Sequence, residues 1–408
     1  MPLEQGTGTS TLIDQRNLYL GTSAFSTLRV AHPFTLTDFN FKYNVDTNFW
    51  GQLTASGGTI AHVPAQSAAR LQVTGTNGSR ALIRTHEYYR YQSGKGMDVK
   101  LSVIHDDVGQ SNQIRRWGFF DDSDGLFFQL TGTTVQVVRR TSVSGVAVDN
   151  VVDQTSWNVD KMDGTGPSQL VLNVSKGNFY DIDFQWLGVG VVRFFVDGFL
   201  VHEMQHANLL DVPYTRTAVL PVSFEVVNVG VSVASGFRAI CGSVVVDGGM
   251  DATEILFDAF NPTDVTVTPV ERPILSIRPK LLFNGITNRI VILPRRLFVS
   301  NRSGRAGFRI VLNPTLVGAA WTSADPESGV EFDVSATAFA GGRTLLRGFL
   351  PNTSDARELS GADLFKQNGS KIHLDAFGTI QPILSLFGVN EGGGTITMRA
   401  STGWVEIR

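Results

Sequence analysis

Between Tyr180 and Trp186 apolar and polar side chains alternate without a break. Ile182, Phe184 and Trp186 fall on one side, Asp181, Asp183 and Gln185 on the other. A strand turns successive side chains to opposite faces, so this period of two predicts a strand with one buried and one solvated face. Leu187-Gly188-Val189-Gly190 interrupts the run, and Val192, Phe194 and Val196 resume it. Asp197-Gly198 then supplies the two positive-φ positions of a tight hairpin turn, and Phe199 to Val201 opens the return strand.

Short runs of the same kind, punctuated by Gly, Asn and Asp, recur from about Pro33 to Asp251. They include Arg70 to Val73, Ala81 to Thr85, Val99 to His105, Gly125 to Leu130, Val135 to Arg139, Leu170 to Val174 and Val222 to Val227. With no long helical period among them, they predict an all-β sandwich over residues 33–256. Residues 1–32 are polar and rich in Gly, Ser and Thr, an extended arm that orders against a neighbour. Residues 257–273 hold three of the 15 prolines and read as a linker able to lend a strand to one side. Residues 274–408 predict a second, smaller β-domain, with strands at Ile290 to Pro294, Gly307 to Leu312, Val330 to Val334, Thr344 to Leu350, Ile372 to Leu374 and Thr395 to Arg399. One short helix is expected after Ser354, in DARELSGADLF, with Ser354 as its cap.

Length and composition narrow the function. At 408 residues the chain exceeds what one core usually covers, and 27 Phe with 6 Trp can fill two. A net charge of −3 argues against a general nucleic-acid binder or a membrane-surface protein. No apolar run reaches the ~18 residues of a membrane helix. The N-terminus lacks a basic-then-apolar layout, so synthesis and assembly in a cytoplasm are expected. The single cysteine, Cys241, excludes an internal disulfide framework, and its neighbours read as a buried strand.

Several strings suggest chemistry. His202 to His206, HEMQH, matches the spacing of zinc proteases, which requires a helix so that both imidazoles close on one ion. Here it continues the return strand of a hairpin, where ~3.3 Å per residue would hold the two rings roughly 13 Å apart. Glu225, downstream, lies in another strand pattern. Asp181 and Asp183 have a spacing near that of an inverting glycosidase pair, yet nothing nearby is expected to raise one pKa selectively, and the clustered E-x-D-x-x-E acids of sandwich-fold glucanases are missing from the chain. Asp121 to Gly125, DDSDG, could wrap a calcium ion, although an Asp-rich turn ending in Asp-Gly between strands is the favoured account. Asp160 to Ser168 lacks a phosphate-cradling pattern, and no cofactor is expected. Candidate contact residues are Tyr88 and Tyr89, with Tyr91 in the same HEYYRYQ stretch, as exposed aromatics that would stack a sugar or serve as plain strand or interface residues, and Arg295, Arg296, Arg302 and Arg305, as an Arg-rich face.

The blocks VKLSVIHDDVGQSNQIRRWGFFDDSDGLFFQLTG and QTSWNVDKMDGTGPSQLVLNVSKGNFYDIDFQWLGVGVVRFFVDGFLVHEMQHAN resemble a group of tailed-bacteriophage virion structural proteins, as do RPILSIRPKLLFNGITNRIVILPRRLFVSNR and the closing WVEIR. The resemblance implies a lectin-like, concanavalin-like jelly roll followed by a smaller β-domain. It carries no catalytic positions. It also implies a non-enzymatic particle component, a tail or head fibre or a decoration protein. Its expected partners are other copies of itself, as a trimer or hexamer, and other virion proteins. The alternative expectation is a host-recognition module that binds surface glycans, and a third, weaker one is a glycan-degrading enzyme.

Overall fold

The computed structural model describes residues 31–249, 255–302, 304–351, 355–360 and 371–408. Nearly all of the expected arm, 1–32, lies outside them. The chain divides into two compact units, Met1–Asp251 and Ala252–Arg408.

The first unit is built from β1 (Pro33–Asn40), β2 (Trp50–Ala55), β3 (Thr59–Val63), β4 (Ala68–Val73), β5 (Arg80–Thr85), β6 (Met97–His105), β7 (Gln113–Phe120), β8 (Gly125–Thr131), β9 (Thr134–Thr141), β10 (Val148–Asp153), β11 (Asn178–Phe184), β12 (Val192–Val196), β13 (Phe199–Met204), β14 (Val222–Asn228) and β15 (Ser235–Asp247). Every pairing among them is antiparallel. One sheet runs β13-β12-β11-β6-β15-β4-β3, with β1 added on β15. The other runs β10-β9-β8-β7-β14-β5-β2. From β4 to β7 the chain changes sheet at every step, and sheet neighbours such as β7 and β14 are distant in sequence. This is the winding of a concanavalin-like jelly roll, as expected.

The alternation read from the sequence explains which faces close on each other. Ile182, Phe184, Phe194 and Val196 meet Trp117, Phe119, Phe128 and Phe224 from the opposite sheet in one core. Trp117 lies at its centre, 0% exposed, stacked 6.0 Å from Phe128 and edge-on 4.9 Å from Tyr180. The hairpin between β12 and β13 turns on Asp197 and Gly198 alone, at φ +52° and +82°.

The second unit is also a two-sheet β-sandwich. One sheet joins Ile255–Phe260, Ile396–Ile407, Val291–Asn301 and Asp355–Ser360, with Val265–Val267 added. The other joins Thr322–Ser323, Val330–Asp333, Arg272–Pro279, Leu384–Asn390, Ala306–Leu312 and Arg343–Leu350. Trp404, Met398, Ile274, Phe308 and Leu386 lie in its core.

Four local expectations are corrected. Residues 257–273 are no linker: they carry part of Ile255–Phe260, all of Val265–Val267 and the start of Arg272–Pro279. Asp355–Ser360 is a strand paired with Val291–Asn301, so tertiary pairing overrides the helical propensity of that stretch. Leu170–Val174 and Ile372–Leu374 each reduce to an isolated bridge, at Val171 and Ile372, because no neighbour continues the ladder.

Candidate functional site

The residues singled out from sequence fare unevenly. Tyr88 and Tyr89 are 4% and 1% exposed, so neither presents a face to a sugar. The Tyr89 amide bonds to the Leu220 carbonyl, and its ring stacks on Phe119, which turns it into the core. The arginines do not gather either. Arg295 and Arg296 lie within Val291–Asn301, whereas Arg302 and Arg305 follow its end, six or more residues of extended chain beyond Arg296, roughly 20 Å. Arg302 is held by Asp264 at 3.0 Å.

HEMQH is pleated where β13 covers it, through Met204. His202 Nδ1 accepts the Asn158 amide at 3.2 Å, and the His206 Nδ1–H donates to the Gly190 carbonyl at 2.7 Å. Burial lowers both imidazoles to about 4, with Arg139 adding to the effect at His206. Glu225 sits on the other sheet, in β14. The Asp-rich turn consumes its own carboxylates. Asp121 accepts the Ser123 and Asp124 amides, Asp122 pairs with Arg84, and Asp124 accepts Ser142 and the Arg216 amide.

Cys241 reverses its expected burial. Alternation from Phe237 and Ala239 would turn it inward, but a bulge between Ala239 and Cys241 shifts the phase. Val244 and Val246 then face the core, and Cys241 is exposed, its Sγ 3.1 Å from Ser102 Oγ. The native protein is therefore expected to release one equivalent of thionitrobenzoate from Ellman's reagent. A thiol that titrates only in denaturant would contradict the bulge.

Three polar clusters of the first unit bear on its chemistry. The first crosses the outer face of the β7 sheet, one residue per strand. Arg80 Nε donates to Glu225 at 2.6 Å, and Arg116 bridges Glu225 at 2.7 Å and Gln129 at 2.7 Å. Gln129 bonds Gln136 at 2.8 Å, and Gln136 bonds Asp153 at 2.7 Å. From Glu225 to Asp153 each member stands directly opposite the next in register. Burial would raise the Glu225 carboxyl, but Arg116 and Arg80 overcome it and hold it below the ordinary glutamate value. The row satisfies itself and clips six strands together.

The second cluster lies on the outer face of the β6 sheet. Lys100 Nζ touches Asp98 at 2.5 Å and Asp181 at 2.6 Å. Asp181 and Asp183, expected on a solvated face, are each 3% exposed. Phe195 stands opposite Asp181 in register and is itself buried, so this face is partly apolar. Burial, then the neighbouring Asp98, pushes the Asp181 carboxyl well above its ordinary value, against the pull of Lys100. The partner that singles out Asp181 comes from β6, which local sequence does not reveal.

The third cluster closes one end of the sandwich and, apart from Tyr91, escaped the sequence reading. The Leu187–Gly190 break that interrupts β11 and β12 organises it. A Cβ at Gly190 would fall 1.7 Å from the Gln185 carbonyl oxygen, so only glycine makes this turn. The loop's carbonyls then hold two rings. Gly190 accepts from His206, and Gly188 accepts the Tyr214 amide at 2.9 Å. His206 and Tyr214 stack at 4.3 Å and 17°. Tyr91 lies on Phe184 and edge-on to Trp186 at 6.3 Å, and Trp186 Nε1 donates to Thr215 at 2.8 Å. Arg139 follows the core residues Val135 and Val137 on the inward face of β9. Its Nε–H and the hydroxyl of Tyr214 are buried without a hydrogen bond, whereas the Tyr91 hydroxyl lies within reach of the backbone at Trp186, Gly94 and Leu187.

No family model matches the chain, and no curated protein matches it. Solved structures similar to its first half do exist. An endo-1,3-beta-glucanase from Streptomyces sioyaensis matches 53% of this chain and 97% of its own at 10% identity and a TM-score of 0.39. A beta-1,3-glucanase from Mycobacterium marinum matches 52% and 98% at 12% identity and a TM-score of 0.38. The carbohydrate recognition domain of Emp46p, in metal-free form, matches 53% and 97% at 10% identity and a TM-score of 0.31. At these identities the likeness is one of fold. The expectation of a chain without an enzymatic role is not upheld, since glucanases are among the structures it is similar to, and a likeness this slight assigns no activity either way.

Proposed function

We propose that the first unit recognises a glycan at the end of its sandwich where the half-buried Trp186 and Arg139 lie beside the buried Tyr91, His206 and Tyr214. The observation that carries this reading is the set of buried, unpaired polar groups among aromatic rings. A buried polar group without a partner costs about 1–3 kcal/mol, and native proteins rarely leave several side by side. Apolar ring faces with a few directed polar groups are what a saccharide needs, one to cover its C–H surface and the other to orient its oxygens. The resemblance to tailed-phage virion proteins supports a place for this module on a particle, repeated with the particle's symmetry. The test is retention of the full chain on a glycan array, with loss of signal in a folded Trp186→Ala variant. A folded wild-type chain that retains no glycan would end this reading.

A second reading, glycoside hydrolysis, is favoured by the Asp98–Asp181 pair. One carboxyl is held towards its protonated form beside another, the pattern that divides acid from base in such enzymes. Release of reducing sugar from β-1,3-glucan, abolished by Asp181→Asn, would support it. Equal release by the variant, or none by the wild type, would remove it.

A further inference from the structure

We infer that the outer face of the β6 sheet holds a separate binding site, a cavity beside β3, β4 and β15 that takes the carboxylate of a small acid between Arg70 and Arg238. It shares no residue with the end cluster, so it stands whether or not a glycan binds there.

Alternation in two strands puts both arginines on this face. Leu71 and Val73 of β4, like Phe237 and Ala239 of β15, turn into the core, so Arg70 and Arg238 turn outward. The two stand directly opposite each other in register, where like charges repel. Asp106, just after β6, is the carboxylate between them. Its Oδ2 accepts from Arg70 Nη2 at 2.9 Å and from Nε at 3.3 Å. Arg238 Nε lies 3.4 Å from Oδ1, yet it is not aligned on that oxygen and is buried without a hydrogen bond. Arg238 Nη1 turns instead to Gln66 Oε1 at 3.0 Å. Asp107, the next acid along, is spent on Arg115, Gln110 and Ser235. One carboxylate therefore serves two guanidinium groups, and one positive charge is left over.

Room for a ligand lies at the same place. A cavity of about 200 Å³ is lined by Arg70, Arg238, Asp106, Gln66 and Val63. At ~30 Å³ of liquid volume per water it has space for about six or seven waters, enough for an acid of a few carbon atoms. The Arg70 side chain is 40% exposed, so a ligand reaches it from solvent, while Arg238 at 22% is more enclosed.

Charge and shape together name the ligand. A carboxylate brings the single negative charge that the pair lacks, and its two coplanar oxygens match a guanidinium fork. A phosphate monoester brings about −1.5 to −2 near pH 7, more than the residual charge, and the excess would repel Asp106. A neutral molecule would leave the second guanidinium uncompensated.

The experiment follows the Nε–H signals of Arg70 and Arg238 by nuclear magnetic resonance in the nitrogen-15-labelled full chain. Sodium acetate is added at constant ionic strength, with chloride, methyl sulfate and methyl phosphate as comparisons. Acetate should shift both signals and saturate, and the other three should bind more weakly. Arg238→Gln, read on the Arg70 signal, should weaken acetate about tenfold, the low end for charge-assisted hydrogen bonds because the site is partly open to water. Asp106→Asn should tighten it, since the carboxylate that competes for both forks is gone. Acetate shifts no larger than those from chloride overturn the inference, as does methyl sulfate or methyl phosphate binding as tightly as acetate. Unchanged affinity in Arg238→Gln, or weaker binding in Asp106→Asn, overturns it too. Near-ultraviolet circular dichroism identifies a variant that has lost its fold. In place of Arg238→Gln, Arg70→Gln at the more exposed position then gives the same reading on the Arg238 signal.

Discussion

Glu225→Gln is expected to lower the unfolding free energy by about 3 kcal/mol at pH 7, the lower end of what breaking a buried ion pair costs. The carboxylate is 3% exposed and sits between two guanidinium groups, Arg80 on one side and Arg116 on the other. The amide keeps the shape but returns only one acceptor, leaving Arg116, 15% exposed, without its counter-charge. Arg80 is 31% exposed, so water screens its share and keeps the total from the upper end of the range. The sign with pH follows from the lowered carboxyl. A folded value below the unfolded one gives stability that is present above the unfolded value and lost as pH falls through the folded one. The deficit of the Gln variant should therefore be full at pH 7 and shrink as pH drops below the ordinary glutamate range. Urea unfolding between pH 3 and pH 7 measures it, and a deficit that stays constant across that span would contradict the arrangement of the row.

How much of this was legible in the sequence depended on range. The β11–β12–β13 hairpin system could be read residue by residue, because alternation and a two-residue turn are local properties. The strand at HEMQH followed from the same reasoning. Tyr88 and Tyr89 were misplaced because a polar-looking stretch, HEYYRYQ, is turned into the core by one backbone bond to Leu220, more than a hundred residues away. Cys241 was misplaced because a bulge shifts the phase of β15, and no residue type in RAICGSVVV announces it. The end cluster is assembled from β9, the loop after β11 and the loop before β14. Its local signals were Tyr91 in HEYYRYQ and the Leu187–Gly190 break, whose second glycine is required for the turn that holds His206 and Tyr214. The break was visible; what it gathers was not.

The second large effect is expected at Lys100, and it runs the other way with pH. Lys100→Met removes the ammonium that touches both Asp98 and Asp181. Lys100 is 32% exposed, so the loss is discounted from the buried-pair range to about 2–3 kcal/mol at pH 7. Asp181 has its carboxyl raised by burial and by Asp98. A folded value above the unfolded one means that its contribution is full below the ordinary aspartate range and is lost as pH rises through the folded value. Asp181→Asn carries no such loss, so it should match the wild type near pH 3.5 and become the more stable protein as pH rises. In the Lys100→Met background the same substitution should recover more than it gains alone, because it then removes a carboxylate that nothing neutralises. Urea unfolding of the four proteins of this cycle at pH 4 and pH 8 gives the coupling directly. An Asp181→Asn variant less stable than the wild type at pH 8 would mean that the carboxylate is held ionised by Lys100. The acid–base asymmetry on which the hydrolytic reading depends would then be absent.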